Sequence, residues 1–315
     1  MTDVIVVGGG VIGLTAAIRL LERGHTVTVW SADDPLDTVS AVAAAAWYPT
    51  RIDGNPQVAR WSVATYREFR RQLDDGVPGL LLRPTRNLLR DPIAELPWWA
   101  GAADGVRLRD GSHPYAQELH FLAPLAEMGI YLPWLARRIE EAGGRIERRR
   151  VTSLADADAE VVVNATGLAA RELAGDPAVH PARGHIVLVE NPGISEAVRD
   201  SAGGAYVHPR SADVVLGGTF EVGRGDFAPD PAQAAAIVER CVALVPELAG
   251  AQILGERIGL RPSRHGGPRV EVSGKIIHAY GHGGAGMTLS WGCADEVADL
   301  VSAALPPAGR RRTGR

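Results

Sequence analysis

The chain has few cysteines, no long apolar run and little net charge. Two cysteines among 315 residues argue against a disulfide framework and against a structural zinc site. No apolar run of about 18 residues occurs, so the sequence predicts no membrane-spanning helix. A formal net charge of −4 at pH 7 gives no reason to expect nucleic acid or an anionic membrane as a partner. The spacing of the histidines predicts no metal site.

The two ends of the chain and its cysteines indicate the cellular compartment of the protein. Cys241 and Cys293 are expected to be buried free thiols, because unpaired cysteine behaves as a small hydrophobe; a single disulfide between them is the alternative. The apolar start is broken by glycines and has no basic segment before it, so it predicts no signal peptide. The C-terminus lacks a Ser-Lys-Leu address. With the alanine- and arginine-rich composition, these features predict a bacterial, cytoplasmic protein.

The sequence does have the composition of a globular protein, with 46% hydrophobic and 22% charged residues. It begins with a β-α-β unit: a strand at 3–7, a helix at 11–23 ended by Gly24, and a strand at 25–30. Such a unit needs a parallel sheet covered on both faces. Further helices are predicted at 55–73, 131–141, 231–244 and 288–303.

Strands of the first domain come from both ends and the middle of the chain. The fold class is therefore predicted as α/β, a Rossmann-like domain interleaved with a mainly antiparallel α+β domain. The first domain is predicted to comprise about 1–75, 131–180 and 256–305, and the second about 76–130 and 181–255. Residues 306–315 are predicted to be a disordered tail, since Pro, Gly and Arg offer little to bury.

A GxGxxG pattern directly follows the first strand and opens the first helix. Gly8 permits the tight turn, Gly10 lets the backbone approach a pyrophosphate, and Gly13 allows close packing of helix and strand. The helix N-terminus offers N–H groups and partial positive charge to phosphates. Asp33 is the expected ribose ligand and Asp34 the less favoured candidate. The pattern predicts a dinucleotide without separating NAD from FAD; a tight turn without a ligand is the alternative.

Several further segments have distinctive sequences. The run at 276–294 contains Gly-His-Gly-Gly-Ala-Gly at 281–286, and the stretch 39–49 is rich in alanine. The others lie at 163–167, 205–209, 216–218, 259–264 and 268–271. Together they resemble the D-amino-acid oxidase family, in the family's order from the first strand to the last helix. The run at 276–294 is the most specific match, and 39–49 resembles the family's flavin-binding stretch.

The physical character of the C-terminal run agrees with this resemblance. Its glycines leave no side chains, so a flat ring can lie against the backbone. A helix begins directly after them, with its positive end toward the ligand. Reduced flavin carries negative charge near N1 and the C2 carbonyl, so this placement raises its affinity for electrons. A plain turn before a helix is the alternative.

The resemblance implies FAD as the cofactor. Its binding residues are expected in the first turn, at the end of the second strand, in the alanine-rich stretch, after a middle strand and in the C-terminal glycine run. They are Gly8, Gly10, Val11, Ile12, Gly13, Asp33, Ser40, Ala44, Ala45, Ala46, Leu168, Gly283, Gly284, Ala285, Gly286, Met287 and Thr288.

By the same resemblance, Arg261 binds the substrate carboxylate, which suits the planar and permanently charged guanidinium fork. Tyr206 matches the family's substrate tyrosine and is expected to donate a second hydrogen bond to the carboxylate; a core aromatic is the alternative. The backbone carbonyl of Gly284 is expected to accept from the substrate amine, and Tyr48 to line the pocket wall. Binding both groups would present one enantiomer's α-hydrogen to the flavin.

The sequence also departs from the family. Ala202 stands where a second, lid-loop tyrosine is expected, which suggests a more open entrance. Phe220 replaces the arginine that relatives specific for acidic D-amino acids carry two residues after Leu-Gly-Gly, which favours neutral, apolar substrates. Arg264 and Arg269 are nearby alternatives to Arg261 but depart from the matched position.

The resemblance therefore implies an FAD-dependent oxidase of neutral D-amino acids that reduces dioxygen to hydrogen peroxide. A flavoenzyme acting on glycine or N-methyl glycine is the nearest alternative. An NAD-dependent dehydrogenase and a catalytically silent nucleotide-binding protein are the others. The expectation of a homodimer rests on the resemblance alone.

Overall fold

The computed structural model of the chain describes residues 1–49, 52, 54–200 and 202–304. The helices are α1 (Val11–Glu22), α2 (Val39–Val42), α3 (Pro56–Asp74), α4 (Met128–Glu141), α5 (Ala170–Leu173), α6 (Pro231–Leu244) and α7 (Gly286–Ala304). The strands are β1 (Asp3–Val7), β2 (Thr26–Ser31), β3 (Leu80–Leu89), β4 (Arg107–Asp110), β5 (Gln117–Ala126), β6 (Arg145–Arg148), β7 (Val161–Asn164), β8 (Val179–Glu190), β9 (Ala197–Asp200), β10 (Ala205–Pro209), β11 (Asp213–Gly217), β12 (Glu221–Val222), β13 (Ile253–Arg264), β14 (Arg269–Ser273) and β15 (Ile276–Tyr280).

The first sheet is largely parallel and, in the described residues, has the order β14-β15-β7-β1-β2-β6. β1 pairs in parallel with β2 and β7, and β15 continues the parallel arrangement on β7. β1 and β7 are buried valine-rich runs, as expected where helices cover both faces. Because carboxyl ends of parallel strands meet at one edge, the glycine turn after β1 and the glycine run after β15 share an edge.

The second sheet is mainly antiparallel, in the order β12-β8-β11-β10-β9-β3-β5-β4, with β13 pairing β8. One face packs on α6, where Ile237 and Cys241 join buried residues such as Val187 and Val207. Side chains alternate along a strand, so Tyr206 and His208 point to the opposite face. That face is turned toward the first sheet's glycine-rich edge, and this arrangement creates the site.

The last helix lies unusually close to α3. A Cβ at Gly292 would lie 2.3 Å from the Trp61 Cα and 2.4 Å from its carbonyl oxygen. The backbone N–H of Gly292 also donates to Thr65 Oγ1 at 3.0 Å. Because α7 begins at the C-terminal glycine run, this crossing sets where the helix N-terminus points.

The strand β13 crosses the predicted domain boundary at residue 256. Residues 256–264 were assigned to the first domain, yet β13 pairs with β8 in the second sheet from Ile253 to Arg264. The strand continues through Pro262, at a position opposite Pro181. The division into domains remains a prediction, but the structure pairs β13 along its length with a strand of the second sheet.

The remaining expectations concern the cysteines, membranes and the tail. Cys241 and Cys293 are buried and free, so the disulfide alternative is not realised. Among the described residues, no helix is long and apolar enough to cross a membrane. The tail predicted at 306–315 lies outside the described residues.

We predict that Gly292→Ala destabilises the protein by about 1–3 kcal/mol, because the added methyl group must displace the α3 backbone. The control is Gly129→Ala in α4, where a Cβ would meet no atom within 4 Å. Alanine at position 129 should be neutral or stabilise by up to about 1 kcal/mol, since it is the better helix former. Urea unfolding followed by circular dichroism compares the two variants; equal stabilities would contradict the proposed close crossing.

Candidate active site

A cavity of about 510 Å³ lies between the glycine-rich edge of the first sheet and the open face of the second. Its volume falls in the range of small-molecule sites. Its walls come from the start of α1, the segment around α2, the run 279–287, strands β8, β9, β10 and β13, and the segment 218–220. The cavity therefore joins sequence motifs that lie far apart in the chain.

The glycines of the first turn are required by packing. A Cβ at Gly13 would lie 1.8 Å from the Gly8 carbonyl oxygen, and one at Gly8 would lie 2.3 Å from that of Ala165. Gly8 also has φ +125°, a conformation that L side chains rarely adopt. This turn brings Val11 into the cavity wall, and the Val11 N–H donates to Ser40 Oγ at 3.0 Å.

The C-terminal glycine run forms the opposite end of the same edge. Gly281 has φ +86°, and a Cβ there would lie 2.7 Å from Cβ of Arg264. Gly283 has φ +54° and lies against Ser263. Gly284 lies on the Arg261 stem, where a Cβ would be 3.4 Å from Cδ. The backbone at the start of α7 is thereby exposed to the cavity without side chains.

Two further glycines in the second sheet leave room for polar side chains. A Cβ at Gly184 would lie 2.2 Å from Nη1 of Arg261, so the guanidinium lies directly over that residue. A Cβ at Gly217 would lie 1.8 Å from Cζ of Tyr206, so the phenol ring lies over the neighbouring strand. Any other residue at 184 or 217 would displace these groups.

Arg261 lies in the cavity wall, whereas its two sequence alternatives do not. Nη1 of Arg261 donates to the Thr219 carbonyl at 3.0 Å, and its guanidinium lies 5.1 Å from the Phe220 ring centre. Arg264 donates to Asp176 at 2.8 Å, and Arg269 donates to Glu271 at 2.7 Å. Both alternatives are therefore engaged by carboxylates of the protein itself.

Asp176 supports the back of the glycine run. Besides the bond from Arg264, it accepts a hydrogen bond at 2.9 Å from the hydroxyl of Tyr280, a cavity-lining residue. Arg269 in turn donates to the Tyr280 hydroxyl at 2.8 Å. The hydrogen bond from Arg264 is the main reason why the pKa of Asp176 is lowered to about 2.

Tyr48 is fixed from two sides. Its backbone N–H donates to Thr288 Oγ1, and the Thr288 hydroxyl donates to its carbonyl, each at 3.1 Å. Its phenol oxygen accepts from Asn87 Nδ2 at 3.2 Å. Thr288 was predicted to bind the cofactor, and that contact stays a prediction; in the structure Thr288 ties the Tyr48 segment to α7.

The sequence analysis missed Arg199, which also lines the cavity. It lies on β9 directly opposite Tyr206 on β10. Its guanidinium carbon lies 4.1 Å from the Tyr48 ring centre and 5.3 Å from that of Tyr206. An Nη1 N–H of Arg199 points at His208 Nε2, 3.0 Å away. No motif marks Arg199, because its place follows from pairing between strands.

Burial governs the electrostatics of this wall. It raises the pKa of the Tyr206 phenol, although the charges of Arg261 and Arg199 oppose the rise. It holds the pKa of His208 well below the usual value, and the Arg199 charge acts in the same direction. Burial also lowers the pKa of His282 to about 4. Both histidines are therefore neutral near pH 7.

The predicted site residues divide into two groups. Those that line the cavity are Val11, Ile12, Ser40, Ala44, Ala45, Ala46, Tyr48, Tyr206, Arg261, Gly283, Gly284, Gly286 and Met287. Those outside its lining are Gly8, Gly10, Gly13, Asp33, Leu168, Ala285 and Thr288. Asp33 has a side chain 48% exposed, with Oδ1 3.2 Å from Arg150. Its predicted ribose contact stays a prediction.

The walls of the cavity suit a flat ring that becomes an anion when it is reduced, with a substrate beside it. Backbone without side chains lines one wall at 283–286, and α7 begins there. Small apolar residues at 43–46 form a second wall. These two walls fit the flavin expected from the sequence. Among the described residues, no group of three His, Cys, Asp or Glu side chains could hold a metal ion.

Comparisons with known proteins place the chain in a family. The family model DAO, described as FAD dependent oxidoreductase, matches residues 3–300. The chain is 48% identical to a D-amino-acid oxidase of Rubrobacter xylanophilus, covering 96% of each chain. It is 44% identical to a D-amino-acid oxidase of Streptomyces coelicolor, covering 95% of this chain and 97% of the relative.

Solved structures share the fold. A crystal structure of glycine oxidase from Geobacillus kaustophilus matches with a TM-score of 0.82 at 21% identity, over 97% of this chain and 96% of that chain. At this identity the likeness establishes the common architecture of two sheets and says nothing of the substrate.

We predict that Asp176→Asn lowers stability by about 1–3 kcal/mol at pH 7, because Arg264 and Tyr280 lose a charged partner. The pKa of Asp176 is depressed on folding to about 2, so its contribution is complete above about pH 4 and is lost as pH falls toward 2. The gap between wild type and variant should therefore shrink from pH 7 to about pH 3. Urea unfolding at several pH values tests this.

The control for this experiment is Asp158→Asn, at an exposed position. It should change stability by no more than about 0.5 kcal/mol at any of these pH values. If the difference in unfolding free energy between wild type and Asp176→Asn stays constant from neutral to acid pH, the charge of the Asp176 carboxylate does not stabilise the turn.

Proposed function

The chain belongs to the DAO family of FAD-dependent oxidoreductases, and on that premise we propose that it is an oxidase of D-amino acids. The reaction converts a neutral D-amino acid to an imino acid, which water hydrolyses to a 2-oxo acid and ammonia, while dioxygen is reduced to hydrogen peroxide. The observation that supports it best is the Arg261 guanidinium, set over Gly184 beside a side-chain-free helix start.

The cofactor site is proposed to run from the first turn to α7. Val11, Ile12 and Ser40 would lie along it, and the backbone of 283–287 would hold the ring. When bound, the flavin accepts a hydride from the substrate α-carbon and passes the electrons to dioxygen. The partial positive charge of the α7 N-terminus favours negative charge at this wall.

Substrate recognition is proposed to depend on fixing two groups of the amino acid. Arg261 would bind the α-carboxylate with two parallel charge-assisted hydrogen bonds, and the Tyr206 hydroxyl would donate another. The Gly284 carbonyl would accept from the amine. Gly217 leaves room for the Tyr206 ring, and Gly184 leaves room for the Arg261 guanidinium. Because both groups are held in place, the α-carbon of the substrate would have one orientation toward the cofactor.

The site needs no general base from the protein. His208 and His282 line the cavity, but burial lowers the pKa of both, which makes each imidazole a weak proton acceptor. An amino acid whose amine has lost its proton can yield its α-hydrogen as hydride without a side chain to remove a proton. We therefore assign these histidines to packing and hydrogen bonding. A homodimer and a cytoplasmic location stay predictions from the sequence.

One anaerobic experiment separates this function from its alternatives. The purified protein should be yellow, and D-alanine or D-valine added without air should bleach it, while the L-enantiomers should not. A colourless protein would indicate the NAD-dependent dehydrogenase. A yellow protein that no D-amino acid bleaches would indicate a silent flavin-binding protein, unless glycine or N-methyl glycine bleaches it. That last result would indicate the glycine-type enzyme.

We predict that Arg261→Leu lowers kcat/KM for every D-amino acid by about 30- to 5000-fold, mainly through KM. Losing one partner of a buried, hydrogen-bonded charge pair costs about 2–5 kcal/mol. Steady-state peroxide release measures the effect, and the visible spectrum verifies that FAD is retained. The control is Arg264→Leu, which alters an arginine held by Asp176 and should leave KM within about threefold. An unchanged KM for Arg261→Leu would place the carboxylate elsewhere.

A further inference from the structure

Thr219 lines the cavity at a place where the second sheet departs from regular pairing. It belongs to the segment 218–220, which joins β11 to β12 along β8. β11 ends its pairing with β8 at Ile186, and β12 resumes the pairing at Arg183. The three residues of the segment therefore face only two residues of β8. Such an extra residue is a β-bulge, which bends the strand and interrupts the regular ladder of backbone hydrogen bonds.

The side chain of Thr219 supplies a hydrogen bond that the bulge removes from the ladder. The backbone N–H of His185 donates to Thr219 Oγ1 at 3.0 Å, and the Thr219 N–H donates back to the His185 carbonyl at 3.3 Å. The His185 side chain is fully buried, with Nδ1 3.0 Å from Gln233 Oε1 and Nε2 2.9 Å from Glu256 Oε2. Two hydrogen bonds therefore tie Thr219 to a strand position that is itself fixed from behind.

The carbonyl of Thr219, its remaining backbone polar group, faces Arg261. Nη1 of Arg261 donates to this carbonyl at 3.0 Å. Because the guanidinium is planar and rigid, a bond at one nitrogen limits the rotation of the whole fork. The stem of the side chain lies against Gly284, where a Cβ would be 3.4 Å from Arg261 Cδ. Two parallel hydrogen bonds to a carboxylate depend on the plane of the fork, so the Thr219 carbonyl bears on substrate binding.

We propose that Thr219 is a positioning residue for substrate binding. Its hydroxyl holds the bulge in the shape that presents the 219 carbonyl to Arg261, and that carbonyl sets the plane of the guanidinium fork. The proposal rests on the proposed D-amino-acid oxidase function and adds a residue that acts through Arg261. In the competing account the hydroxyl only completes the sheet, so that its loss lowers stability and leaves carboxylate binding unchanged.

Thr219→Val tests the proposal on the FAD-loaded protein. Valine keeps the shape of threonine without the acceptor oxygen, so the His185 N–H loses its partner and the bulge relaxes. KM for D-alanine and D-valine should rise by about five- to thirtyfold, the effect of misaligning a charge-assisted hydrogen bond, while kcat changes by no more than about threefold. The dissociation constant of benzoate, measured through the flavin absorbance, should rise by the same factor as KM.

Two further variants separate positioning from stability. Thr219→Ser restores the acceptor and should return KM and the benzoate dissociation constant to within about twofold of wild type. The control is Asn191→Ala, in the turn between β8 and β9, where Asn191 Oδ1 accepts from the backbone N–H groups of Gly193 at 3.0 Å and Ile194 at 2.7 Å. This variant should lower the urea midpoint, as Thr219→Val does, without changing either constant.

If Thr219→Val does not fold, the wild-type holoenzyme with bound benzoate decides the matter. A crystal structure of this complex should retain the hydrogen bond from Arg261 Nη1 to the Thr219 carbonyl while the fork binds the carboxylate. A guanidinium that leaves Thr219 in order to bind benzoate would overturn the proposal.

The outcomes distinguish this inference from the function on which it rests. Oxidation of D-alanine by wild type, with unchanged constants in Thr219→Val or a rise that serine does not reverse, overturns the inference alone. Absence of oxidation with every D-amino acid refutes the proposed function, and the benzoate titration then still tests the inference, since it needs only bound FAD and a carboxylate. If wild type does not bind benzoate either, both are refuted.

Discussion

The site depends on glycine residues that make room for charge. The Arg261 guanidinium can lie against the face of the second sheet because Gly184 has no side chain, and a Cβ there would lie 2.2 Å from its Nη1. Gly217 does the same for the ring of Tyr206. In the first sheet, Gly283 and Gly284 open the backbone at the start of α7. The absence of side chains at these glycines shapes the cavity more than any side chain that lines it.

Much of the first sheet could be predicted from sequence, because its signals are local. The β-α-β unit, the glycine turn and α3, with Asn55 as N-cap and Pro56 at its start, follow from apolar periodicity and capping. The second sheet was harder to predict. Residues 78–122 have no regular apolar periodicity, yet β3 and β5 pair along ten residues each. Tertiary pairing gives those strands their length.

The same distinction applies to the site. Arg261 and Tyr206 could be found because they lie in segments that resemble a family. Arg199 could not, since only its pairing opposite Tyr206 brings it into the cavity. For Asp33, the position after β2 predicts a ribose contact; its side chain lies outside the lining of the cavity and near Arg150, and the contact stays a prediction. Local patterns locate turns, whereas side-chain direction depends on neighbouring strands.

The central claim is that Arg261, held over Gly184, fixes a carboxylate beside the side-chain-free start of α7. A crystal structure of the FAD-loaded protein with benzoate, an unreactive carboxylate, tests it most directly. The account predicts the flavin ring against residues 283–287 and the carboxylate in a two-bond contact with the Arg261 fork. A carboxylate bound away from Arg261, or a flavin remote from that backbone, would contradict it.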